Sequence, residues 1–67
     1  MMHFDDFKDI IERTLRDAGR SLTWTEIRTI AKLPQAFPNN KWVRQLEGEI
    51  GLERKRDKGG IIRWQLK

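Results

Sequence analysis

The sequence contains no cysteine and no tyrosine, and histidine occurs once, at His3. The absence of cysteine excludes disulfide bonds, thiolate zinc sites and a cysteine nucleophile. A lone histidine near the start of the chain offers neither a metal cluster nor a catalytic triad, so we expect no metal, no cofactor and no enzymatic activity. No apolar run approaches the roughly 18 residues of a membrane span, and none resembles a cleaved signal peptide. We therefore expect a cytoplasmic protein that does not enter a membrane.

Positive charge is concentrated in one part of this short chain. The 67 residues carry 14 lysines and arginines against 10 acidic residues, a net charge of +4, and suffice for one small domain. Basic and acidic side chains cancel over residues 1–51, so the whole excess lies in residues 52–67. Such a segment on a neutral body favours a polyanionic partner. The equally weighted alternative is that these charges prevent edge-to-edge pairing of a solvated hairpin.

Apolar residues spaced every three or four positions predict the first two helices. The first helix is expected over residues 4–18, with Gly19 ending it in a left-handed cap. Thr23 and Glu26 have the spacing of a capping box, which predicts a second helix over residues 24–32. The residues of the second helix expected to be buried are Ile27, Ile30 and Ala31.

A third helix is predicted over residues 39–50, between a proline-containing turn and Gly51. Pro34 is expected to end the second helix, and two apolar side chains of the turn that follows are expected to point inward. One face of the third helix is apolar and packs on the core. Its apolar residues are Trp42, Val43, Leu46 and Ile50, and its outward polar residues include Asn40, Lys41, Arg44 and Gln45.

The C-terminal segment over residues 52–66 predicts a β-hairpin. A three-residue loop that ends at Gly60, with positive φ, would place Ile62, Trp64 and Leu66 on the core face together with Leu52. The same register sets Lys55 directly opposite Arg63 on the outer face, where like charges repel. Either an anion between them relieves this repulsion, or both side chains splay into water.

This order of elements resembles the winged helix-turn-helix family over the entire chain. The stretches that carry the resemblance are Leu22–Ile27, Trp42–Leu46, Ile50–Leu52, Gly59–Gly60 and Ile62–Leu66. The resemblance implies an α+β fold with three helices, a C-terminal hairpin called the wing, and a short additional strand near Leu22. The connection between the second and third helices is longer than the usual turn of three or four residues.

The resemblance also implies binding to double-stranded DNA, as a small transcriptional regulator or accessory factor, with the third helix in the major groove and the wing on phosphate or the minor groove. Arg44 suits guanine, and Asn40 or Gln45 suits adenine. Lys41, near the helix start, suits phosphate. The wing candidates for phosphate or minor-groove contact are Lys55, Arg56, Lys58 and Arg63. Arg54 instead faces Trp64 in the predicted register, so we expect its stem to cover the ring.

Several alternatives stay open on the sequence alone. The chain suits a protein-interaction module, with the neutral helical surface and an exposed Ile61 as the contact, because fold does not dictate function. RNA or a duplex of non-B form would use the same face as DNA. The tryptophans are expected in the core rather than as base-stacking platforms. A monomer is the expectation, and Ile61 or the first helix offers a route to a homodimer. About five phosphate contacts predict a salt slope of roughly −4 to −5 for DNA binding.

Overall fold

The computed structural model describes residues 2–67 as three helices and a three-stranded antiparallel sheet, an α+β arrangement consistent with a small winged-helix-like fold. The elements in chain order are α1 (Phe4–Ala18), β1 (Leu22–Thr23), α2 (Trp24–Ala31), α3 (Asn40–Glu49), β2 (Leu52–Arg56) and β3 (Ile62–Leu66). The order of strands in the sheet is β1-β3-β2. Within residues 2–67, no helix has the length and apolar character that a membrane crossing requires.

Local hydrogen bonds determine where α1 and α2 begin. The Asp6 carboxylate accepts a hydrogen bond from the backbone N–H of His3 at 3.3 Å, just ahead of α1. At the start of α2 the capping box is present: Thr23 Oγ1 accepts from the Glu26 N–H at 3.1 Å, and Glu26 accepts from the Thr23 N–H at 2.9 Å. The bond from the Thr23 N–H to the Glu26 carboxylate, with a smaller contribution from Arg20, lowers the pKa of Glu26. The caps satisfy backbone donors that would otherwise lack a partner.

The second helix ends one residue earlier than predicted. Lys32 adopts the left-handed conformation, with φ 56° and ψ 45°, and therefore stops α2 at Ala31 before Pro34 is reached. The backbone N–H of Leu33 then donates to the carbonyl of Arg28 at 2.9 Å, which satisfies one of the last helical carbonyls. A left-handed lysine is costly compared with glycine, because its Cβ crowds the backbone.

The hairpin has the predicted register and turn. Leu52 pairs with Leu66, Arg54 with Trp64, and Lys55 with Arg63. Gly60 closes the loop at φ 81°. β1 pairs along the other side of β3, with Leu22 opposite Trp64, so Trp64 lies on the central strand.

Every helix and strand contributes to one core. Trp64 stacks on Trp24 with 5.3 Å between ring centroids, and Phe7 lies 6.4 Å from Trp24 and 5.3 Å from Trp42. Phe4 adds an edge-on contact to Trp42 at 5.8 Å. All three tryptophans therefore pack on the core, as expected. The buried hydrophobic residues are Phe7, Ile11, Leu15, Leu22, Ile27, Leu33, Val43, Leu46, Leu52 and Trp64.

Three apolar residues are more exposed than their position in the pattern predicts. Ile30 of α2 is 56% exposed and Ile62 of β3 is 41% exposed, although both were expected in the core. In the turn before α3, Leu33 is buried as expected, but Phe37 is 84% exposed. Ile62 pairs with Arg56 at the loop end of the hairpin, and α2 presents Ile30 at the surface beside polar side chains. A small core covers only the central part of each element.

Candidate nucleic-acid interface

The outward face of α3 is set by its cap and by its buried side. The Oδ1 atom of Asn39 accepts hydrogen bonds from the backbone N–H groups of Lys41 at 3.0 Å and Trp42 at 3.2 Å. Val43 and Leu46 are completely buried and fix the rotation of the helix about its axis. Because α-helical side chains repeat every 3.6 residues, the opposite face points to solvent.

The structure brings the four predicted residues of α3 together. They line one shallow surface depression, which no other residue in the range 2–67 borders, and all four are exposed: Asn40, Lys41, Arg44 and Gln45. Neither Lys41 nor Arg44 forms a salt bridge with any of residues 2–67. The depression therefore combines two free cations with two amide side chains, a set that offers hydrogen bonds to phosphate oxygens and to base edges.

The far end of α3 is acidic and is held by the first helix. Lys8 Nζ lies 3.2 Å from Glu49 Oε1, and this hydrogen bond raises the pKa of Lys8. Glu47 is exposed on the same half of the helix. The exposed Glu47 therefore makes the C-terminal half of α3 less favourable to a polyanion than the N-terminal half, which carries Lys41 and Arg44.

Internal carboxylates face the two opposed cations of the wing. Arg63 Nε lies 3.0 Å from Asp57 Oδ2, and Lys55 Nζ lies 3.9 Å from Glu53 Oε1. The Lys55 side chain is 69% exposed, so it extends into water as one of the two expectations had it, and carboxylates of the hairpin also offset part of its repulsion with Arg63. Both cations are already partly neutralised before any ligand approaches.

Asp57 organises the wing turn, a role that the sequence reasoning missed. Its Oδ1 atom accepts from the backbone N–H groups of Gly59 at 2.8 Å and Ile61 at 3.0 Å. The hydrogen bond from the Ile61 N–H lowers the pKa of the Asp57 carboxyl most, followed by the bond that Arg63 donates and then by that from Gly59. An aspartate two residues before a glycine is typical of an Asx turn and was the available signal.

The remaining basic residues of the wing differ in their surroundings. Arg56 lies on the opposite face of the hairpin from Lys55 and donates to the carbonyl of Gly60 at 3.2 Å. Lys58 is exposed in the turn. Neither Arg56 nor Lys58 has a salt-bridge partner within the described part of the chain. The four wing candidates thus do not share one face.

Arg54 packs on the core, as the register predicts. Its guanidinium carbon lies 5.7 Å from the centre of the Trp64 ring, a cation–π arrangement. Its Nε atom is buried without a hydrogen-bond partner among residues 2–67. This half-buried arginine therefore packs over Trp64 rather than adding a free cation to the candidate interface.

Six of the eight predicted site residues thus divide into two groups that the sequence does not distinguish. Four cations have no carboxylate partner in residues 2–67, namely Lys41, Arg44, Arg56 and Lys58. Two cations have one, namely Lys55 and Arg63. Residues 2–67 contain no group of three or more side chains suited to hold a metal ion.

Comparison of the chain with family models, with characterised proteins and with solved structures gave no match. Inference of its role therefore depends on the geometry of these side chains.

Proposed function

We propose that this chain is a double-stranded DNA-binding module of the winged helix-turn-helix type, acting as a small transcriptional regulator or accessory factor in the cytoplasm. The observation that carries the proposal is the exposed depression on α3 that Asn40, Lys41, Arg44 and Gln45 line. Two unpaired cations and two amides on one helical face match the chemistry of a duplex groove, which presents phosphates beside hydrogen-bonding base edges.

Each side chain has a distinct task in this arrangement. Arg44 donates two hydrogen bonds to guanine O6 and N7, and Asn40 or Gln45 pairs with adenine N6 and N7. Lys41 binds phosphate at the N-terminal end of α3, where the helix dipole adds attraction. The unpaired wing cations bind the flanking backbone, while the acidic end of α3 stays away from it.

The deciding experiment is an NMR titration with a random duplex of about 15 base pairs. We expect amide shifts confined to residues 40–45 and 55–63, and weaker binding by the Lys41→Gln/Arg44→Gln variant. The matched control is Arg13→Gln, because Arg13 is also exposed and also lacks a salt bridge within residues 2–67. Shifts centred on α1, or equal weakening by the control, would contradict the proposal.

The kind of duplex is tested by competition at a fixed salt concentration. The proposal expects B-form DNA to displace the bound duplex better than left-handed DNA or double-stranded RNA does. B-DNA has a major groove that admits a helix, whereas the major groove of A-form RNA is deep and narrow. Stronger competition by RNA would assign the same side chains to an RNA ligand instead.

A protein-interaction role is the second candidate, supported by exposed isoleucines away from the α3 depression. Ile30 of α2 and Ile61 beside the wing turn are 56% and 52% exposed. Such a role predicts a stoichiometric partner that survives nuclease treatment and persists when Lys55, Lys58 and Arg63 are reversed in charge. Sedimentation of the isolated chain as a monomer is expected in either case, since no second copy is needed to complete the α3 surface.

A further inference from the structure

Phe37 is an aromatic side chain that the fold leaves almost entirely in water. It is 84% exposed, more than any other large hydrophobic residue described, and it lies in the connection between α2 and α3. A phenylalanine in this state forgoes the free energy that burial would provide. Isolated exposed apolar residues are common, so the surroundings of Phe37 decide whether it has a task.

The chain on both sides of Phe37 is held in place. The indole Nε1 of Trp24 donates a hydrogen bond to the carbonyl of Ala36 at 3.1 Å, and Trp24 itself stacks on Trp64 of the central strand. On the other side Pro38 restricts the backbone, and Asn39 caps α3. The exposure of Phe37 is thus a property of an anchored turn.

This turn leads directly into the candidate interface. Phe37 precedes Asn40 by three residues, so their Cα atoms lie at most about 11 Å apart. Lys41, which has no salt bridge within residues 2–67, follows immediately. A nucleic acid that contacts Asn40 or Lys41 therefore passes close to the backbone of Phe37, whose exposed phenyl ring offers a flat apolar surface for a base.

We infer that Phe37 acts as a wedge that contacts the base stack of a bound DNA duplex and favours steps that are easily unstacked. The inference rests on the proposed function and adds the part of the ligand that the polar side chains do not recognise. Apolar side chains inserted between base steps partly unstack and kink a duplex, and mismatched or flexible steps yield most readily. Ile30 is also exposed, at 56%, but lies beside Glu26, which repels phosphate.

The test uses the full chain and a duplex with 2-aminopurine at a central mismatch, together with its fully paired counterpart. We expect the unaltered protein to prefer the mismatched duplex and to raise 2-aminopurine fluorescence. Phe37→Ala should weaken binding about 5- to 150-fold and abolish both effects, the range that loss of one base–aromatic stack produces. The dependence of affinity on salt should stay the same, because no charge is removed.

Two further variants serve as controls. Phe37→Trp should retain binding and the fluorescence change, and Ile30→Ala should match the unaltered protein. Equal affinity of Phe37→Ala and the unaltered protein for both duplexes would overturn the wedge while the proposed function stood. Absence of salt-dependent DNA binding by the unaltered protein would overturn both. Because Phe37 is exposed, the thermal midpoint of Phe37→Ala should equal that of the unaltered protein.

Discussion

The division of the candidate cations into paired and unpaired groups predicts how DNA binding depends on salt. Each phosphate neutralised by a lysine or arginine contributes about −0.9 to the slope of log K against log salt. Lys41, Arg44, Arg56 and Lys58 have no carboxylate partner in residues 2–67. Because the proposed function assigns Arg44 to a base, the other three give a slope of about −2.7, and a fourth phosphate contact by Arg44 would give about −3.6. This is shallower than the range expected from charge in the sequence.

Single neutralising substitutions separate the two groups. Lys41→Gln and Lys58→Gln should each reduce the steepness of the slope by about 0.9. Lys55→Gln should reduce it less, because the ammonium already lies 3.9 Å from a carboxylate of Glu53. Arg13→Gln on α1 is the matched control and should leave the slope unchanged.

The assay is fluorescence anisotropy with a labelled duplex of about 15 base pairs, at salt concentrations from about 50 to 200 mM. A slope near zero would refute electrostatic binding altogether. A slope near −5.4, the value for about six contacts, would refute the distinction between paired and unpaired cations. Equal effects of Lys55→Gln and Lys58→Gln would refute it as well.

Three further predictions concern the fold that presents these side chains. Asp57→Ala should remove hydrogen-exchange protection of the Gly59 and Ile61 amides, which donate to the Asp57 carboxylate. In the unaltered chain the pKa of Asp57 is lowered, so its contribution to stability is complete above the ordinary value of 3.8 and is lost as the pH falls below it. NMR at pH 3 and pH 6 should therefore show weaker protection of these two amides at pH 3. Loss of protection already at pH 6 would contradict this. Lys32→Gly should raise the free energy of unfolding by about 0.5–1 kcal/mol in urea, since relief of the left-handed strain exceeds the added chain flexibility; a decrease would show that the lysine is unstrained. Leu46→Ala should lower the free energy of unfolding by about 2–5 kcal/mol, against less than about 0.5 for Lys58→Ala in the exposed turn. Equal losses would contradict the core assignment.

Features that depend on a few neighbouring residues were predictable from the sequence. The capping box of Thr23 and Glu26, the left-handed Gly19 and the three-residue hairpin loop ending at Gly60 are all present as expected. The register that sets Arg54 beside Trp64 followed from the alternation of apolar residues and the length of the loop. Each signal depends on backbone geometry within one turn or one hairpin, which the residue types largely specify.

Burial and charge pairing were decided by the tertiary structure. Ile30 and Ile62 have the periodicity of core residues, yet a core of this size covers only part of α2 and of the hairpin, so both remain exposed. The sequence shows that Lys55 faces Arg63, but only the folded hairpin shows that a carboxylate accompanies each of them. Side-chain contacts of this kind depend on rotamers and on which elements meet in space, and neither is encoded in the local pattern of residues.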